Sequence, residues 1–77
     1  MQPTLPPDDD EIASRRLAFG DRLRTARRAA GLTQNQLAER AGLDRAQISE
    51  IERGCRDARL STLVRIEGAL GAQLSWA

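Results

Sequence analysis

Hydrophobic residues recur at helical spacing near both ends of this chain. The first stretch begins at about Asp9 or Ala13, ends at Ala30 and has apolar side chains at Ile12, Phe19, Leu23, Ala26 and Ala30. The last stretch has them at Leu60, Leu63, Ile66 and Leu70. Residues spaced three, four or seven positions apart lie on one face of a helix, so each stretch predicts a helix with a buried face. Gly20 lies inside the first and predicts a bend or a close approach of another segment, since glycine weakens a helix.

Two shorter helices are predicted between these stretches, within residues 33–53. Thr33 and Asp44 are each followed three positions later by a glutamine, which is the spacing of a capping box at a helix start. Gly42 and Gly54 are typical of helix ends. With Leu43 in the turn, the apolar positions form one shared seam: Leu37, Ala38, Ile48 and Ile51. Two helices this close in sequence predict a helix-turn-helix whose second helix keeps its other face free.

Length and composition fit one small all-α domain. Residues 1–10 combine three prolines with a run of acids and are expected to be a disordered acidic tail, which leaves 11–77 as the folded domain. A core of this size stabilises a fold by only a few kcal/mol, so dimerisation is an expected source of stability. No stretch approaches the roughly 20 apolar residues that cross a bilayer, and no signal peptide is recognisable. The protein is expected to be cytoplasmic and nucleoid-associated, without a membrane partner.

The net charge of +1 hides an uneven distribution along the chain. Four of the eleven acids lie at 8–11, so residues 12–77 carry twelve arginines against seven acids, a net charge of +5. A basic domain next to an acidic segment is compatible with a nucleic-acid partner. Arginine also suits paired hydrogen bonds to guanine and phosphate.

The residue inventory argues against catalysis and against bound metals or cofactors. The chain contains no histidine, and its one cysteine, Cys55, cannot form an internal disulfide. It has no glycine-rich phosphate loop. We therefore expect no enzyme activity, no metal and no cofactor.

Sequence elements in register from residue 27 to 71 match one known signature. They are Arg27, Gly31 to Gln34, Leu37 and Ala38, Gly42, Ile48 and Ser49, Ile51 to Gly54, Thr62 and Leu63, and Ala69 to Gly71. Through them the chain resembles the Xre family of helix-turn-helix proteins, to which Cro and the phage lambda-type repressors belong. The resemblance implies a lambda-repressor-like bundle of four to five helices, and a homodimeric transcriptional regulator of palindromic double-stranded DNA.

In this family the second helix of the motif lies in the DNA major groove. The resemblance therefore implies base contacts from Arg45, Ala46, Gln47, Ser49 and Glu50. Arg45 is expected to pair with guanine, Ala46 to touch a thymine methyl group, and Glu50 to accept from cytosine or to buttress an arginine. Phosphate contacts are expected from Thr33, Gln34, Arg53, Gly54 and Arg56, together with the amides of Gly54 and Cys55. Arg27 and Glu52 match a family pair that forms a partly buried salt bridge.

The chain departs from the family pattern in two places. The loop before the last helix lacks the usual proline and capping residue, which leaves Asp57 or Ser61 as caps. Only residues 72–77 follow the signature. Their alternation of apolar and polar side chains is similar to HipB-type antitoxins, in which a C-terminal strand pairs across a dimer; a truncated fifth helix from Ser75 is the other interpretation. In either form, Leu74 and Trp76 are expected to contact the second subunit.

Two functions are compatible with these features. The first is a sequence-specific DNA-binding regulator, most simply a repressor. The second is an antitoxin that neutralises a partner protein and represses its own operon. A DNA-binding fragment of a larger protein is a third, weaker hypothesis.

Overall fold

Four α-helices form most of residues 5–74, the part of the chain that this computed structural model describes. They are α1 (Asp9–Ala29), α2 (Gln34–Ala41), α3 (Arg45–Glu52) and α4 (Leu60–Leu70). α1 packs on α3, and α2 packs on both α3 and α4. The predicted all-α bundle is confirmed, and the helix-turn-helix lies at its centre as α2 and α3. None of these helices is both long and apolar enough to span a bilayer.

α1 begins before the domain boundary predicted at residue 11. Asp8 is its N-cap, and the Asp8 carboxylate accepts a hydrogen bond from the Glu11 N–H at 2.8 Å. Acidic side chains in the first turn also interact favourably with the positive end of the helix dipole. Asp9 and Asp10 are therefore part of α1, which begins at the earlier of its two predicted starts.

Both predicted starts of the central helices are confirmed. At α2 the Thr33 hydroxyl accepts from the Gln36 N–H at 3.1 Å, and the Gln36 side chain accepts from the Thr33 N–H at 2.9 Å. At α3 the Gln47 side-chain oxygen accepts from the Asp44 N–H at 2.9 Å. Gly42 ends α2 with a φ of 70°, a backbone conformation that glycine adopts without steric cost.

The predicted seam between α2 and α3 is buried. Leu37, Ala38, Ile48 and Ile51 are all at most 2% exposed, and Leu43 packs against them from the turn. The rest of the buried core is Leu23 from α1, Leu32 from the α1–α2 connection, Ala41 from α2 and Ile66 from α4. α3 is thus fixed along one side and exposed along the other.

Three predicted core positions are exposed. Ala30, expected on the buried face of the first helix, is its exposed C-cap. Leu60, expected in the α4 stripe, is 68% exposed, and Ile12, expected on the buried face of α1, is 36% exposed. The error at Leu60 is geometric. Each step of three residues falls about 60° short of a full helical turn, so two such steps turn Leu60 roughly 120° away from buried Ile66. Leu60 instead shares the outward face with Val64, which is also exposed.

Neither predicted cap begins α4. Arg59 occupies the N-cap position, and its carbonyl oxygen accepts from the Leu63 N–H at 3.0 Å. Asp57 is drawn away because its carboxylate accepts from Arg16 of α1 at 3.0 Å. Ser61 lies inside the first turn of the helix.

The chain leaves α4 at Gly71 and turns back along it. The Leu74 N–H donates to the Glu67 carboxylate at 2.7 Å, and the Leu74 side chain packs against the core. Residues 71–74 are neither helix nor strand. The segment 75–77, with Trp76, lies outside the described residues, and so does the choice between a terminal strand and a fifth helix.

Candidate nucleic-acid interface

α3 presents its first turn to solvent. Arg45 and Ala46 are exposed, and Gln47, Ser49 and Glu50 are half-buried along the flank of the helix. Ile48 and Ile51 point into the core. The five residues expected to read bases therefore lie outside the core on one rigid helix.

Glu50 has a partner in the protein itself. The guanidinium of Arg56 donates to the Glu50 carboxylate through Nε at 3.3 Å and through Nη2 at 3.2 and 3.3 Å. The side chain of Glu50 is 33% exposed and that of Arg56 is 40% exposed. Of the two roles expected for Glu50, the structure contains the contact with an arginine.

The start of α2 faces the same region with fewer side-chain donors than expected. The Thr33 hydroxyl oxygen serves as the helix cap. The Gln34 side-chain nitrogen points inward and donates to the Glu52 carboxylate at 3.1 Å. The first main-chain N–H groups of α2 are therefore the clearest anion-binding groups at this end.

Arg27 and Glu52 form a buried ion pair between α1 and the end of α3. Arg27 donates to the Glu52 carboxylate through Nε at 2.6 Å and through Nη2 at 3.0 Å, and through Nη1 to the Leu32 carbonyl at 2.9 Å. The residues are 8% and 2% exposed. The hydrogen bond to Glu52 raises the pKa of Arg27, although burial acts in the opposite direction. With Gln34 on the same carboxylate, the pair joins α1, α2 and α3.

Sequence reasoning missed a second set of contacts between α1 and α3. Arg24 donates to the Glu52 carbonyl oxygen at 3.2 Å, and Arg16 donates to the Gly54 carbonyl oxygen, also at 3.2 Å. Between them, Gly20 lies so close that a Cβ there would be 2.5 Å from the Glu52 carbonyl oxygen. The close approach predicted for Gly20 is confirmed. The available signal was the spacing of positions 16, 20, 24 and 27, which places them along one side of α1.

Comparison with known proteins identifies this arrangement. A protein-family model described as Helix-turn-helix matches residues 23–76, which is most of the chain. The chain belongs to the Xre-type helix-turn-helix family. This is a family of DNA-binding transcriptional regulators, as the sequence signature had implied.

Two relatives of known name share the helix-turn-helix region. The chain is 44% identical over 59 residues to the immunity repressor protein of Bacillus phage phi105, covering 77% of this chain and 41% of the repressor. It is 41% identical over 59 residues to control protein C.BamHI of Bacillus amyloliquefaciens, covering 75% of this chain and 73% of that protein. The chain thus spans about two fifths of the length of the phage repressor.

Solved structures of family members have the same fold. The restriction-modification controller protein C.AhdI from Aeromonas hydrophila superposes with a TM-score of 0.77 at 38% identity, covering 78% of this chain and 91% of that one. The clp gene regulator ClgR from C. glutamicum gives a TM-score of 0.75 at 35% identity, covering 78% and 77%.

The main-chain amides of Gly54 and Cys55, both expected to contact a DNA phosphate, are hydrogen-bonded within the protein. The Gly54 N–H donates to the Ile51 carbonyl at 3.0 Å, and the Cys55 N–H donates to the Glu50 carbonyl at 2.9 Å. Both amides therefore close the end of α3 and are not free to bind a phosphate. Arg53, by contrast, is exposed, and its Nε donates only weakly to the Ser49 carbonyl at 3.4 Å.

Among residues 5–74, no group of three or more acidic, cysteine or histidine side chains could hold a metal ion.

Proposed function

We propose that this regulator is a homodimeric repressor that reads a palindromic operator with α3. The exposed first turn of a helix that is otherwise held rigidly by the core carries this proposal. Arg45 can present two donors to guanine O6 and N7, and Ala46 can contact a thymine methyl group. Ile48, Ile51 and Glu52 are buried and hold α3 against the core, with its first turn exposed to solvent. A rigid reading helix allows side chains to discriminate bases.

Phosphate contacts are assigned to groups around this helix. Arg53 and Arg56 follow α3, and the N-terminus of α2 with the Thr33 hydroxyl lies at the other end of the motif. Residues 9–77, which include the acidic first turn of α1, carry twelve arginines against ten acids. This net charge of +2 supports such contacts, because phosphate neutralisation supplies much of the affinity for DNA. Gln34 contributes less, since its side-chain nitrogen is bound to Glu52.

Arg45→Ala is expected to weaken binding to the preferred duplex by about 1–3 kcal/mol and to relax preference at one base pair in each half-site. The physical reason is that the exposed Arg45 side chain supplies the paired donors in the first turn of α3. Binding isotherms on the preferred duplex and on its single-base variants measure both effects.

Arg53→Ala is the matched control, because it removes the same side chain from an assigned phosphate contact. It should weaken binding to all duplexes alike and flatten the dependence of affinity on salt. An Arg45→Ala variant that loses the same affinity on preferred and random duplexes contradicts base reading by Arg45.

We expect two chains on each operator, with half-sites about 10 base pairs apart, because one short reading helix covers too few base pairs for specificity. The contact between subunits is assigned to the C-terminal segment, with Trp76 as a buried aromatic anchor. Leu74 contributes less than its sequence position suggested, since it packs against the core of its own chain. Footprinting and sedimentation of the protein with an operator duplex measure spacing and stoichiometry.

Removing residues 75–77 tests this contact without removing Leu74. The shortened chain should associate less and bind the operator less tightly, with an unchanged helical circular-dichroism spectrum. Undiminished dimerisation would move the interface to the outward face of α4, where Leu60 and Val64 are exposed. One chain per saturated operator would contradict the dimer itself.

Two further assignments complete the proposal. The protein acts in the cytoplasm on nucleoid DNA, without enzymatic activity. The alternative role is an antitoxin that neutralises a partner protein, and the alternation of residues 72–77 supports it. We favour the repressor because the chain is 44% identical over 59 residues to a phage immunity repressor. A toxin-like protein that copurifies with the chain when their neighbouring genes are expressed together would favour the antitoxin.

A further inference from the structure

We propose that Arg56 determines sequence specificity by holding Glu50 in position for a base contact. This role differs from that of a simple phosphate contact. The inference rests on the proposed reading of DNA by α3. Glu50 lies on the flank of that helix, and Arg56 follows it in the loop to α4.

The geometry of the pair fixes the carboxylate. Arg56 uses the edge formed by Nε and Nη2, so that two nitrogens approach the two Glu50 oxygens at 3.2–3.3 Å. A planar guanidinium bound along one edge restrains both the position and the plane of its partner, which a lysine ammonium cannot do. None of the described residues accepts a hydrogen bond from Nη1 of Arg56, so this nitrogen is left for a DNA phosphate.

The surrounding contacts remove the alternatives for Arg56. The neighbouring carboxylate in sequence, Asp57, is bound by Nη1 of Arg16 at 3.0 Å. The loop itself is drawn back onto α3 by the hydrogen bond from the Cys55 N–H to the Glu50 carbonyl at 2.9 Å. Cys55, the residue before Arg56, is hydrogen-bonded to the Glu50 main chain. The Glu50 carboxylate is therefore within reach of the Arg56 side chain.

A bound arginine makes Glu50 suitable as a reader of DNA. A bare carboxylate among phosphates is repelled, whereas the Arg56 cation offsets that charge at the position where the helix enters the groove. An ionised carboxylate has about four acceptor positions, so Glu50 can bind Arg56 and still accept a donor from a base. The major-groove donor that fits a carboxylate is the cytosine N4 amino group. Glu50 held by Arg56 should therefore select a C·G pair.

The test begins with duplexes that the wild-type chain enriches from a random-sequence library. Affinities of wild type, Arg56→Lys and Glu50→Ala are then measured on the enriched duplex and on its single-base substitutions over a range of salt concentrations. Arg56→Lys keeps the cation but loses the planar edge. Arg56→Lys should lose roughly tenfold discrimination at one C·G position, and Glu50→Ala should lose discrimination at the same position. The affinity of Arg56→Lys should depend on salt concentration as that of wild type does. The double variant Arg56→Lys with Glu50→Ala should lose no more discrimination at that C·G position than either single variant.

Arg59→Lys is the matched control, because Arg59 is exposed, lies in the same loop and forms no ion pair among the described residues. It should keep discrimination at every position. The inference is overturned if Arg56→Lys discriminates like wild type, or if Arg56→Lys and Glu50→Ala change preference at different positions. Failure of the wild-type chain to enrich any sequence would instead overturn the proposed function, and this inference with it.

Discussion

Replacing Gly20 with alanine should destabilise the protein by about 1–3 kcal/mol, although alanine is the better helix former. A Cβ at this position would be 2.5 Å from the Glu52 carbonyl oxygen and closer still to that of Ile51. Both are main-chain atoms at the end of α3, so neither can move aside as a flexible side chain would. α1 would have to shift away from α3. Urea unfolding followed by circular dichroism measures the loss.

Gly68→Ala provides a control of opposite sign. Gly68 also lies within a helix, α4, but a Cβ there would meet no atom within 4 Å. Alanine should therefore stabilise the fold by about 0.5–1 kcal/mol through helix propensity alone. If the two substitutions change the free energy of unfolding in the same direction, Gly20 is not the close contact that sets the distance between α1 and α3.

Glu52→Ala should cost about 3–5 kcal/mol of folding free energy, because it leaves the buried Arg27 cation without a counter-ion. The Gln34 side chain would lose its acceptor as well. A core of this size stabilises the fold by only about 3–5 kcal/mol, so the variant should be close to unfolding. Thermal unfolding with and without a stabilising osmolyte measures the change. Glu52 raises the pKa of Arg27, so the part of the stabilisation that depends on the arginine charge is present below the ordinary arginine pKa and is lost as the pH rises through the raised pKa.

Glu11→Ala is the control for the buried pair, because the Arg15–Glu11 pair is exposed on the surface of α1. It should cost less than about 1 kcal/mol. Replacing both buried partners, as Arg27→Met with Glu52→Leu, should be less damaging than Glu52→Ala alone, since no unpaired charge remains. Equal losses for Glu52→Ala and Glu11→Ala would contradict a stabilising role for the buried pair.

The positions of the helices were predictable because their signals are local. A capping box joins residues three positions apart, so Thr33 and Gln36 determine the start of α2 whatever the rest of the chain does. The seam formed by Leu37 and Ile48 follows from the short distance between two helices along the chain. The family signature added which face of α3 is expected to meet DNA. The same local reasoning failed at Leu60, where a three-residue spacing drifts away from the core.

Only the tertiary structure decided what each arginine does. Arg16, Arg24 and Arg56 look alike in sequence, but one binds the α3–α4 loop, one the end of α3 and one Glu50. The first two contacts join residues 38 and 28 positions apart, and no local pattern specifies them. They depend on how closely α1 crosses α3, and Gly20 permits that approach. The sequence alone therefore determined the helices and the family, because caps and apolar spacing act over a few residues. The packing of α1 on α3 determined that Arg16 and Arg24 bind main-chain carbonyl groups at the end of α3 and in the loop after it.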